Sequence, residues 1–120
     1  MGRITRFDFN FLALSQLQAQ SFGSNWPVVY IIENGNDAYV GETTSAVRLI
    51  KNHLEDNRRR PLKTVNIITD SEFNKSVSLD LESMLIEYIA ADGKYLLQNS
   101  NKGIGSHDYY ERVKYTGRFQ

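Results

Sequence analysis

Glu82 is the residue least at ease in its surroundings. Within SLDLESMLIEYIAA (residues 78–91), a turn of about 100° per residue gathers Asp80, Ser83 and Glu87 into one polar stripe and drops Glu82 into the apolar arc between Ile86 and Ile89. A carboxylate among aliphatic side chains is costly unless it is paired, protonated or bound to a cation. Two chemistries answer that cost: a salt bridge to an arginine or lysine across the core, or oxygen ligation of a hard divalent ion. His53 poses a similar question, since it shares a side with Ala46 and Leu49 while Arg48, Lys51 and Glu55 project the other way. A histidine so placed is either a hydrogen-bonded core residue or an acid–base group. Arg58, Arg59, Arg60 and Lys63 bracket Pro61, where a helix must stop. They offer either a solvated helix end that complements the dipole or contacts to phosphate.

The elements that must position these groups can be read from spacing. In VVYIIENGNDAYVGETT (residues 28–44), two apolar runs flank Asn34-Gly35, a strong hairpin signal, and predict strands over 28–33 and 38–41. A two-residue turn at Asn34-Gly35 sets Tyr30 opposite Tyr39, with β-carbons roughly 5 Å apart on one face. Sliding the turn to Gly35-Asn36 changes the partner but keeps both phenols on that face. Their rings can simply pack. Gly41 follows directly, and glycine in a strand is tolerated where a ligand or another backbone comes close. It leads into a helix over about 45–57, with Ala46, Ile50 and Leu54 on one face and Thr44 or Ser45 as cap, whose first amides could receive an anion. Residues 65–69 read as a third strand, 78–91 as a helix closed by Asp92-Gly93, and 10–20 as a short helix with Leu14 and Leu17 inward.

Composition narrows the choices. At 120 residues the chain suits a single domain. It has no stretch that could cross a bilayer and no charged-then-apolar leader, so the expected location is the cytoplasm. Without cysteine, neither a disulfide framework nor a thiolate metal site can form, and two histidines make a His-rich zinc site a poor fit. Fourteen basic residues balance fourteen acidic ones, so there is no broad positive field of the kind a stand-alone nucleic-acid binder carries. His107-Asp108 has no second cluster to complete a metal pair, and Gly103 and Gly105 lack the strand-then-helix setting of a nucleotide loop.

Taken together, the residues resemble the GIY-YIG nuclease superfamily. Val28-Val29-Tyr30 stands at the GIY triplet and Tyr39-Val40-Gly41 at YIG; His53 occupies the histidine-or-tyrosine position of the following helix. Leu81-Glu82-Ser83-Met84-Leu85-Ile86 matches the acidic helix, and Asn99 in LLQNSN the later asparagine. The match covers about residues 26–100. It implies an α+β fold with a small three-stranded antiparallel sheet flanked by helices. Residues 1–25 would then form an N-terminal helical extension, and 101–120 a helical tail or a linker to a further domain. The chain looks closest to N-terminal modules of bacterial proteins that continue into a helicase-like domain. Two positions depart from the pattern: Val28 replaces the first glycine, and Leu49 holds the usual arginine position, with Arg48 one residue early and about 100° around the helix.

The implied activity is metal-dependent hydrolysis of phosphodiester bonds, in DNA rather than RNA. By the same resemblance Tyr30 is the general base and Tyr39 helps orient water or phosphate. His53 bonds Tyr30 or the phosphate, Asn99 braces the site, and Arg48 stabilises transition-state charge if it can reach. Glu82 holds one Mg²⁺ or Mn²⁺. The alternative is a GIY-YIG-like module without catalysis that binds nucleic acid or a protein.

Overall fold

The computed structural model describes residues 2–99; Gly103, Gly105, His107-Asp108 and the 101–120 tail lie outside them. In chain order the elements are β1 (Gly2–Asp8), α1 (Leu12–Gln18), β2 (Val28–Glu33), β3 (Asp37–Thr43), α2 (Ala46–Leu54), a 3₁₀ turn (Asn57–Arg59), β4 (Thr64–Asp70), α3 (Lys75–Asp92) and β5 (Leu96–Leu97). The strands form one five-stranded sheet in the order β1-β4-β2-β3-β5, antiparallel throughout except for the short parallel β3–β5 pair.

The α+β class holds, but the expected three-stranded antiparallel sheet is only the middle of this one. The N-terminal extension is corrected too, because it begins with a strand before the short helix. β1 escapes a pattern search because Phe7 is its one buried side chain, the rest of Gly2–Asp8 being exposed or half-buried along the sheet edge. β2, in contrast, is covered on both faces, which explains an apolar run that does not alternate.

The hairpin turn is Gly35-Asn36. Asn34 N–H donates to the Asp37 carbonyl at 3.1 Å, Gly35 takes a φ of +94°, and the register sets Tyr30 against Gly41 and Ile32 against Tyr39. The cause lies in the Asn34 side chain, whose Oδ1 accepts from the amides of Asn36 and Asp37 at 2.8 and 2.7 Å and so closes a turn one residue further on. The two phenols are diagonal neighbours on one face rather than directly opposed.

Each face of the sheet has its own core. On one side Tyr30, Ile32, Val65 and Ile67 pack against Leu17 of α1 and Ala46 and Ile50 of α2. On the other, Val29, Val40 and Ala38 meet Leu81, Leu85, Ile86 and Ile89 of α3. Asn74 caps α3 by accepting from the Val77 amide at 2.9 Å, and Gly93 ends it at a φ of +74°. The apolar arc of α3 is wider than the face it buries: Leu79, Met84 and Tyr88 are exposed. Glu82, on the sheet-facing side, is half-buried rather than enclosed. Among the described residues no helix is long and apolar enough to cross a membrane.

Candidate functional site

The site begins with a strand pair that has room for only one ring. Tyr30 lies flat across its register partner Gly41, and a Cβ at position 41 would collide with Cζ and Oη of that phenol. Gly41 is therefore a glycine because a neighbouring side chain comes close. The ring, 2% exposed, is carried toward α2, where Tyr30 Oη meets His53 Nε2 at 2.9 Å. His53 faces inward because it continues the buried Ala46 and Ile50 stripe of α2. Tyr39, two residues along the same face, stacks on Tyr30 with centroids 6.3 Å apart and 13° between planes.

A cation completes the cluster, and it is Arg59. Asp56 caps the 3₁₀ turn by accepting from the Arg58 amide at 2.9 Å, which aims Arg58 outward and Arg59 inward. The Arg59 side chain is 5% exposed. Its guanidinium carbon sits 4.0 Å from the Tyr39 ring centre, its Nε donates to His53 Nδ1 at 3.3 Å, and its Nη1 donates to Gln98 Oε1 at 3.0 Å. Gln98 in turn donates to the Arg58 carbonyl at 3.0 Å, tying the turn to the end of β5. Asn99, next in sequence, grips the edge of β3: its Nδ2 donates to the Val40 carbonyl at 2.7 Å and its Oδ1 accepts from the Val40 amide at 2.9 Å.

Electrostatics pull on the phenol from two directions. Burial pushes Tyr30 well above the ordinary tyrosine range, and the negative charges of Tyr39, Glu82 and Glu42 push the same way, whereas Arg59 pulls it down. Glu82 itself belongs to α3, which packs on the opposite face of the sheet from Tyr30. Glu42 is held by Lys75, with Nζ 2.7 and 2.9 Å from its two oxygens. Among the described residues there is no group of three or more His, Asp, Glu or Cys side chains that could cage an ion. A single carboxylate is nevertheless a donor set that magnesium accepts, because it keeps several waters and takes substrate phosphate oxygens for the rest.

Several sequence expectations change. Arg48, expected to stabilise transition-state charge if it could reach, is exposed on α2, and the cation beside His53 is Arg59. Of the four cations around Pro61, Arg59 alone is buried and is not part of a solvated end, while Arg58, Arg60 and Lys63 remain at the surface. Arg58 and Arg60 belong to the separate turn that follows α2, since α2 ends at Leu54, and Lys63 stands just before β4. At the N-terminus of α2 the Val47 amide donates to the Gly23 carbonyl at 3.0 Å and the Ser45 amide to Thr43 Oγ1 at 2.9 Å. Ser45 stands at the N-cap without a side-chain capping bond. Tyr30, Tyr39 and His53 do come together, with Gln98 as a member the sequence reading missed, whereas Asn99 bonds the backbone of Val40 on β3. The signal for Arg59 was Asp56, a capping residue placed to start a turn of its own before Pro61.

No protein-family model, curated protein or solved structure matches the chain.

Proposed function

We propose that this chain is a GIY-YIG-type endonuclease module that hydrolyses nucleic-acid phosphodiester bonds, with DNA as the first substrate to test. The observation that carries the proposal is Arg59. Among the described residues its hydrogen bonds go to a histidine and an amide, none to a carboxylate, and yet the guanidinium is buried. An arginine taken out of water without an anion is expensive, and a phosphate is the planar guanidinium's natural partner. Three of its five N–H groups remain for that ligand.

In this reading Arg59 binds a phosphoryl oxygen, and its charge gains strength as the barrier is climbed. Tyr30 takes a proton from the attacking water, His53 orients the phenol, and Asn99 keeps the β3 edge in place. Because burial raises the Tyr30 phenol, it serves as a base only while positive charge stands near it; Arg59 supplies part of that charge. A magnesium or manganese ion bound at Glu82 would polarise the phosphate and neutralise the leaving oxygen. With charge balanced overall, substrate choice falls to an attached domain, for which the resemblance suggests a helicase-like one. The raised phenol favours a second reading, a module that binds nucleic acid through Arg59 without cutting it.

The test is nicking of supercoiled plasmid by the purified chain with and without Mg²⁺ or Mn²⁺. Glu82→Ala and Tyr30→Phe should each abolish metal-dependent nicking while the circular dichroism spectrum is kept. Unchanged nicking by both variants would sink the nuclease proposal, and DNA retention without nicking by the parent chain would favour the binding module.

A further inference from the structure

We infer that Arg59 sets the direction of the proton chain through the cluster: it holds His53 as the Nε2–H tautomer, so that His53 donates to Tyr30 and the Tyr30 oxygen is an acceptor. The tautomer follows from the geometry alone; its catalytic meaning rests on the function proposed above. Arg59 is here a positioning residue acting through His53.

A guanidinium has N–H donors, no lone pair, and stays charged at any pH a protein survives. The 3.3 Å contact between Arg59 Nε and His53 Nδ1 can therefore run one way only, with Arg59 donating. A neutral imidazole has one donor and one acceptor nitrogen. With Nδ1 accepting, the proton sits on Nε2, which is 2.9 Å from Tyr30 Oη and donates to it. The opposite polarity would turn an Nδ1–H against the Arg59 Nε–H between two side chains that are 8% and 5% exposed. Two donors facing each other cannot make this hydrogen bond and repel instead. A doubly protonated ring brings the same collision and a second buried positive charge.

Arg59 is well held for this task, by Tyr39 beneath it and Gln98 at its far end. Two consequences follow for the phenol. While the phenol is neutral, its own proton points away from His53. When that proton leaves, the phenolate still accepts the His53 N–H, so the chain needs no tautomer change between its two protonation states. Preorganisation of that kind is what a site that holds a base in place requires.

The experiment reads the tautomer directly by long-range proton–nitrogen correlation on ¹⁵N-labelled protein, above the ordinary histidine titration range near pH 6.5. Only His53 and His107 contribute, and His107→Gln assigns them. His53 should carry its proton on Nε2 in the parent chain and keep it there in Tyr30→Phe, because Arg59 still occupies Nδ1. In Arg59→Met the Nδ1–H form should appear, as Tyr30 becomes free to donate. A parent spectrum dominated by Nδ1–H overturns the inference, as does loss of the Nε2–H form in Tyr30→Phe. If Arg59→Met does not fold, the other two spectra decide. An Nε2–H spectrum from a chain that never nicks DNA removes the nuclease proposal and leaves the tautomer assignment standing.

Discussion

Arg58 and Arg59 are neighbours in one 3₁₀ turn and have opposite fates. Arg58 is exposed and folds back on Asp56, its Nε and Nη2 reaching the two carboxylate oxygens at 3.1 and 2.8 Å. Arg59 is buried, and among the described residues its hydrogen bonds go to His53 and Gln98, none to a carboxylate. A 3₁₀ turn advances roughly a third of a revolution per residue, so adjacent side chains must diverge; which one goes inward is decided by the Asp56 cap. The lesson concerns what a charge signifies. A cation satisfied by an acid two residues away belongs to local structure, whereas one buried beside aromatic rings without an acid points to a ligand.

Exchanging the two roles gives the largest expected effect. Arg59→Met should lower nicking by about 10²- to 10³-fold, the usual cost of removing a preorganised electrostatic donor. Folding stability should stay within about 1 kcal/mol, because relief of the desolvation cost offsets the lost hydrogen bonds. Arg58→Ala should leave nicking unchanged. Plasmid nicking rates and urea unfolding on the same preparations check both; equal losses of activity from the two variants would erase the distinction.

Gly41→Ala strikes at Arg59's side of the comparison without touching the turn. The new methyl would displace the Tyr30 ring, and with it the bond to His53 on which Arg59 acts. Overpacking of this kind costs about 1–3 kcal/mol. Misplacing a reacting group by about 1 Å can cost on the order of 10²-fold in rate. Urea unfolding and plasmid nicking should record both losses, together with loss of the His53–Tyr30 hydrogen bond.

Much of this was legible from residue order, in ways that explain the misses. Tyr30 and Tyr39 share a face for any even slip of the hairpin, so parity alone predicted it; the register itself depended on the Asn34 side chain. His53 inward followed from the α2 period. Glu82 was read correctly onto the sheet-facing side of α3, but its burial was overdrawn, since helix periodicity says which residues share a face and not how far the sheet extends beneath them. Arg59 was grouped with Arg58 and Arg60 and not set apart as the buried one, because three consecutive arginines look alike to a pattern: a 3₁₀ turn is too short to show a period, and its partners at Tyr39 and Gln98 are distant in sequence. β1 was missed because an edge strand with one buried side chain carries almost no apolar signal.

The smallest effect lies at Asp56, the residue both arginines share. The Arg58 side chain, and after it the Arg58 amide, hold the Asp56 carboxyl well below the usual carboxylate range. A depressed carboxyl contributes stability at any pH above its unfolded value and loses it as pH falls through the lower folded one. The parent chain should therefore be slightly more stable than Asp56→Ala at neutral pH, and the difference should close in strong acid; the pair is exposed, so screening keeps the gap small. In nicking the two partners should separate. Arg58→Ala keeps the cap, because the Asp56 oxygen still accepts from the backbone amide. Asp56→Ala loses it and frees the turn that aims Arg59, lowering nicking a few-fold at every pH. If Asp56→Ala nicks as fast as the parent chain, the inward aim of Arg59 is set by Tyr39 and Gln98 alone, and the cap has no part in the site.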